Sequence, residues 1–183
     1  MSLRDRIEAF AADKVLQPWP IHESGFMDTK DIPFDLATRG ACEKNYCGQY
    51  GRTWACPPGC GTFEELKAHF MGYSNAFVYT TVHELEDSYD IEGMSEGRKK
   101  HAELDDAFAT FLKDEPAPHE LCDAGGCSIC KKCTYPDAPC RFPDKMRRSM
   151  ESTGINVMSL SKILDIHYIN GVNTVTYFSM IYF

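Results

Sequence analysis

The stretch GGCSICKKCTYPDAPCRFP, residues 125–143, places Cys127, Cys130, Cys133 and Cys140 in the spacing C-x2-C-x2-C-x6-C. Thiolates are soft donors that bind zinc or build iron–sulfur clusters. Two successive gaps of two residues put three of them on one tight loop, able to wrap one face of an iron–sulfur cube. The first three positions match the bacterial ferredoxin run. Gly125 and Gly126 let the backbone approach such a group and turn N–H donors towards its sulfurs, while Pro136, Pro139 and Pro143 stiffen the return through Cys140 and Tyr135 shields the site. Four thiolates also satisfy one tetrahedral zinc, as the pairs Cys127/Cys130 and Cys133/Cys140. Zinc knuckles are ordinarily separated by a dozen or more residues, and a gap of two crowds a single ion. The spacing favours a 4Fe–4S cluster, with zinc as the alternative. Cys140 either completes this site or crosses to a second one, and Cys122, five residues before Cys127, is a further candidate ligand.

A second block, CEKNYCGQYGRTWACPPGCG, gives C-x4-C-x8-C-x3-C at Cys42, Cys47, Cys56 and Cys60. This spacing matches no common zinc module or ferredoxin. Its neighbours still suit a site: Gly48, Gly51 and Gly59 admit close backbone approach, and Tyr46, Tyr50 and Trp54 can exclude water. Those aromatics can equally pack a small core beneath the loop. A second metal site is expected here, iron–sulfur ahead of zinc, so the chain would carry one or two clusters.

The segments YCGQYGRTWACPP (46–58), CSICKKCTYPDAPCRFP (127–143), SMESTGINV (149–157) and NGVNTVTYFSMIYF (170–183) resemble the domain-of-unknown-function 2284 family, prokaryotic proteins described as predicted metal-binding. The likeness spans most of the chain after about residue 40. It implies an iron–sulfur or metal protein of anaerobic microbes without a settled reaction. The family's motif positions fall on Cys42, Cys47 and Cys56, and on Cys127, Cys130, Cys133 and Cys140. Cys60 and Cys122 fall outside that pattern. A first site with three cysteines would leave one iron open to a small ligand.

Little else in the sequence carries chemistry. The six histidines are scattered singly, and only His119, near Cys122, lies where it could supplement a cysteine site. There is no H-E-x-x-H, P-loop, G-x-G-x-x-G or G-x-S-x-G motif, and the radical-generating spacing C-x3-C-x2-C is absent, so no catalytic residue is assigned. A formal charge of −8 argues against general nucleic-acid binding. Against that acidity, Lys131, Lys132, Arg141, Lys145, Arg147 and Arg148 gather around the second motif, as compensation for an anionic cluster or as a docking surface for a redox partner protein. The N-terminus reads as neither signal peptide nor anchor, and no window supports a membrane span. A cytoplasmic protein with reduced thiols is expected, and nine cysteines cannot all pair.

The elements that must position these loops read as one α/β domain over residues 1–183, a small sheet flanked by helices with two cysteine-rich metal-binding loops together at one end. Helices are predicted over 2–15, from a capping box at Thr62 and Glu65 to Met71, over about 95–113, through DKMRRSMES to a stop at Gly154, and in SLSKILDI. NAFVYTTV (75–82), INVMSL and NTVTYFSMIYF read as strands, with one more short strand within 16–41. The acidic run from Glu84 to Glu120 reads as a solvated helix face. The functional reading is an iron–sulfur protein of electron transfer. Alternatives are a zinc-stabilised structural or interaction module and an enzyme that uses an open cluster iron.

Overall fold

The fold is built on two strands whose residues are β-branched and aromatic almost throughout. In the computed structural model, which describes residues 1–183, β2 (Asn75–Glu84) and β5 (Thr174–Tyr182) pair antiparallel from Ala76↔Tyr182 to Glu84↔Thr174. Successive side chains point to opposite faces. Ala76, Val78, Phe178, Met180 and Tyr182 enter one core with Leu66, Phe70, Met150 and Leu160. Phe77, Tyr79 and Ile181 enter another with Ile7, Phe10, Leu104 and Phe108. A strand pair covered on both faces has no solvent side, so its sequence shows no polar alternation.

β1 (Ser24–Asp28) flanks β2, and β3 (Glu120–Asp123) flanks the other side of β5, each antiparallel. β4 (Arg148–Ser149) adds to β3 in parallel, giving the order β1-β2-β5-β3-β4. α1 (Leu3–Ala12), opened by a Ser2/Asp5 capping box, and α4 (Ile91–Phe111), capped by Asp90, cover one face. Phe10 clasps them together, 4.8 Å from Phe108 and 4.5 Å from Phe111. α3 (Phe63–Phe70), α5 (Met150–Thr153) and α6 (Val157–Ile163) cover the other. The predicted capping box at Thr62 and Glu65 is formed on both arms.

The structure departs from the sequence reading in several places. α2 (Leu36–Ala41), capped by Asp35, lies within 16–41, where no helix is predicted. The segment DKMRRSMES is not one helix: after a single 3-10 turn, Arg147 and Arg148 are drawn into ion pairs with Asp123 and Glu120, which extends the chain into β4 before α5 begins. INVMSL is not a strand, because Asn156 caps α6 through Ser159 N, and Ile155 makes only an isolated bridge to Phe34. The acidic helix is not wholly solvated. Its inner face buries His101 and Asp105.

That inner face holds a polar network between helix and sheet. Tyr79 OH donates to Asp105 Oδ1 at 2.6 Å, and the two nitrogens of His101 bond to Thr81 Oγ1 and Ser179 Oγ, both at 2.8 Å. Burial holds the His101 imidazole down at about 3 and pushes the Asp105 carboxyl up to about 6. The contribution of His101 is complete above its ordinary value of 6.5 and is lost as pH falls through that window. That of Asp105 is complete below its ordinary 3.8 and is lost as pH rises through 6. Between about pH 6 and 4 the two slopes oppose each other. Relative to wild type, His101→Gln is expected to gain stability as pH falls through this window and Asp105→Asn to lose it, each by up to about 2–3 kcal/mol. Denaturant midpoints at pH 4, 5 and 6 check this, and parallel profiles for the three proteins would contradict it.

Candidate metal centre

The second cysteine loop leaves the sheet at Asp123 and returns at Arg147. Its neck is closed twice: by the β3–β4 pairing of Cys122 with Arg148 and Asp123 with Ser149, and by the buried ion pair from Arg147 Nε to Asp123 Oδ2 at 3.2 Å. Arg147 also reaches Asp106 of α4, and Arg148 Nη1 donates to Glu120 Oε1 at 2.9 Å. Beyond the neck the backbone is almost free of internal bonds. From Ala124 through Asp137 no backbone N–H donates a hydrogen bond within the chain. These N–H groups lie on an exposed or half-buried loop and are left to water or to a bound group.

Cys127, Cys130, Cys133 and Cys140 all line one cavity of about 500 Å3. Its far wall comes from the first cysteine loop, through Gln49, Arg52, Thr53 and Trp54. Thr53 Oγ1 is buried there without a hydrogen-bond partner. The two loops are stitched together: Trp54 Nε1 donates to Ala138 O at 3.0 Å, and its ring meets Tyr135 edge-on at 4.9 Å. Gly59 passes under that Tyr135 ring so closely that a Cβ would lie 2.8 Å from Cε2 and 2.7 Å from Thr53 O. Only glycine fits.

The first loop divides its four cysteines. Cys42, Cys47 and Cys56 line a second cavity of about 370 Å3, whose opposite side includes Gly125 and Gly126. Burial pushes the Cys42 thiol up to about 11, against the pull of Arg39, and also raises Cys56. Metal capture must therefore displace protons from both. Cys60 is turned away. It is buried in the core, its sulfur accepts from Arg39 Nη1 at 3.0 Å, and it lines neither cavity. Gln49 lines both cavities, and a Cβ on Gly126 would touch its side chain at 3.3 Å, so one thin wall separates them.

Cys122 lies apart from both cavities. It is a fully buried core residue on β3, among apolar side chains that raise its thiol well above the ordinary value. His119 bonds to Ala117 O at 2.9 Å and lines neither cavity. Of the six basic residues grouped from sequence, Arg147 and Arg148 are ion-paired inwards, whereas Lys131, Lys132, Arg141 and Lys145 are exposed and form no ion pair. Gln49, Arg98, Glu151 and Tyr177 line the three-cysteine cavity without any motif to announce them.

No three Cys, His, Asp or Glu side chains converge on a point that could hold a single metal ion. A mononuclear zinc needs its four sulfurs at about 2.3 Å from one centre. The thiols line two cavities as a set of soft donors, of the kind that holds zinc or an iron–sulfur cluster.

Fold and site together define a cysteine-rich α/β protein with two adjoining cysteine loops. The chain belongs to the domain-of-unknown-function 2284 family, described as predicted metal-binding protein, whose model matches residues 25–183. No curated protein and no solved structure matches it. No helix is long and apolar enough to cross a membrane.

The contact at Gly59 gives a direct test of the stitching. Gly59→Ala is expected to displace the Tyr135 ring and cost about 1–3 kcal/mol by overpacking. Thermal melting should show the loss and Trp54 fluorescence a more solvated environment. An unchanged melt with unchanged emission would mean the loops do not need this contact.

Proposed function

We propose that the protein is an iron–sulfur electron carrier with two adjacent centres, one held by Cys127, Cys130, Cys133 and Cys140 and one by Cys42, Cys47 and Cys56. The observation that carries this is the ring of four cysteines around one 500 Å3 cavity whose loop keeps its backbone donors unpaired from Ala124 to Asp137. Bound there, clusters supply one-electron transfer, with potential set by hydrogen bonds, charge and exposure. The chain's own residues would then do three things. The unpaired N–H groups from Cys127 onward would donate to cluster and cysteinyl sulfur and favour the reduced, more negative state. Trp54, Tyr135 and Phe142 would limit water at the cavity, and Lys131 and Lys132 at its rim would offset the cluster's charge.

Metal and acid-labile sulfide analysis of protein purified without oxygen tests the reading. Two cubes predict about eight irons and eight sulfides per chain, with brown absorbance bleached by dithionite. Cys60→Ala should keep this content, and Cys56→Ala should lose about half of it. Zinc without sulfide or colour would overturn electron transfer in favour of a structural module.

The four exposed and unpaired cations, Lys131, Lys132, Arg141 and Lys145, support docking of an acidic redox partner at the rim of the first cavity. Complementary charge of this kind speeds encounter and is screened by salt. Stopped-flow oxidation of the reduced protein by an acidic ferredoxin-type acceptor should slow as ionic strength rises, and Lys131→Glu/Lys132→Glu should flatten that dependence. A rate indifferent to salt would remove the docking role.

A further inference from the structure

The cavity beside Cys42, Cys47 and Cys56 has a chemically distinct opposite side that electron transfer alone does not use. Arg98, near the middle of α4, lines it. Its guanidinium lies against Gly125, where a Cβ would come within 2.6 Å of Nη1. The backbone there is left-handed at φ +83°, which glycine adopts freely. Arg98 makes one long bond, Nη1 to Ala124 O at 3.3 Å, and no carboxylate pairs with it. On a chain of net charge −8, Arg6, Arg147 and Arg148 find carboxylates, whereas the exposed Arg98, like Arg4, Arg39, Arg52 and Arg141, does not. Beside it the N–H groups of Gly125 and Gly126 are also unpaired.

The rest of the lining sorts the cavity into ends. Val157, Tyr168 and Phe178 give an apolar wall, with the Tyr168 and Phe178 rings 5.7 Å apart. Glu151 carries the opposite charge and lies towards Cys42, whose thiol donates to the Glu151 carbonyl at 3.8 Å. An anion is therefore favoured at Arg98 and disfavoured at the Cys42 end. The volume of about 370 Å3 falls in the range of small-molecule pockets.

We infer that this cavity is a binding site for a small organic carboxylate with an apolar or aromatic body, its carboxylate held by Arg98 and the Gly125–Gly126 amides and its body lying on Val157, Tyr168 and Phe178 towards the three cysteines. The inference rests on the metal-centre reading for what the far end of the ligand meets. Its anchor at Arg98 stands on the chain alone. Charge-assisted bonds to a guanidinium distinguish a carboxylate from its uncharged isostere by about tenfold or more.

Calorimetric titration of the full chain, purified without oxygen, with benzoate, benzamide and acetate tests this. Benzoate is expected to bind, with benzamide and acetate each about tenfold weaker or more. Arg98→Gln should lose the benzoate preference, and Arg98→Lys should recover part of it, with melting temperature and iron content unchanged. Equal binding of benzoate and benzamide by the wild type, a comparison that needs no variant, would overturn the anion site. So would undiminished preference in Arg98→Gln, or no benzoate binding at millimolar concentration. Acetate binding as tightly as benzoate would overturn the apolar body. Iron analysis of the same samples separates the two readings: a chain without iron that still prefers benzoate keeps the carboxylate site and loses the cluster. An iron-loaded chain indifferent to benzoate does the reverse.

Discussion

The cysteine loops depend on one buried ion pair. Asp123 and Arg147 close the neck of the second loop at 3.2 Å, both nearly withdrawn from solvent, with Asp106 and the β3–β4 pairing as supports. A buried pair gains little over well-packed apolar residues, but loss of Arg147 leaves Asp123 buried without a counter-charge and costs about 3–5 kcal/mol. Here that penalty acts where the chain has least else to hold it. The residues beyond Asp123 make almost no backbone bonds of their own, so the direction in which the loop leaves the sheet is set at the neck. β3 transmits it by pairing with β5, the strand that both cores share.

The sheet in turn owes its rigidity to being filled on both sides. One face is closed by aromatic contacts, Phe70 stacked on Tyr182 at 4.5 Å, and the other by the Phe10–Phe108–Tyr79 cluster of edge-on and tilted rings. Within the second of these layers lies the Tyr79–Asp105–His101 network, a polar cluster that carries its own proton balance. Such a network fixes the register of α4 against the sheet, because every alternative register would leave buried donors unpaired. α4 also supplies Arg98 and Asp106 to the two ends of the second loop, so the network indirectly aims it.

Much of this was legible in the sequence because it rests on local patterns. The C-x2-C-x2-C-x6-C spacing, the capping box at Thr62 and the β-branched and aromatic strand at the C-terminal end each depend on residues within a turn or a strand of one another. What was hidden depends on partners far apart. Arg147 and Arg148 read as helix surface because Asp123 and Glu120, which pull them into β4, lie over twenty residues away. Cys122 read as a ligand by proximity to Cys127, but strand geometry points it into the core. Cys60 read as the fourth member of its motif, whereas Arg39 and the core claim it. Arg98 sat unnoticed in an acidic helical run, because nothing in its neighbours marks an unpaired cation.

The two cavities have a common wall of Gln49 and Gly126, and the first loop forms one side of each. Ordering a flexible loop costs conformational entropy once, not once per cavity. Whatever fills one cavity and stills that wall has met part of the cost of filling the other, and reciprocity requires the effect to be equal in both directions. Two occupants of these cavities would thus be coupled through a partition rather than through any conformational change.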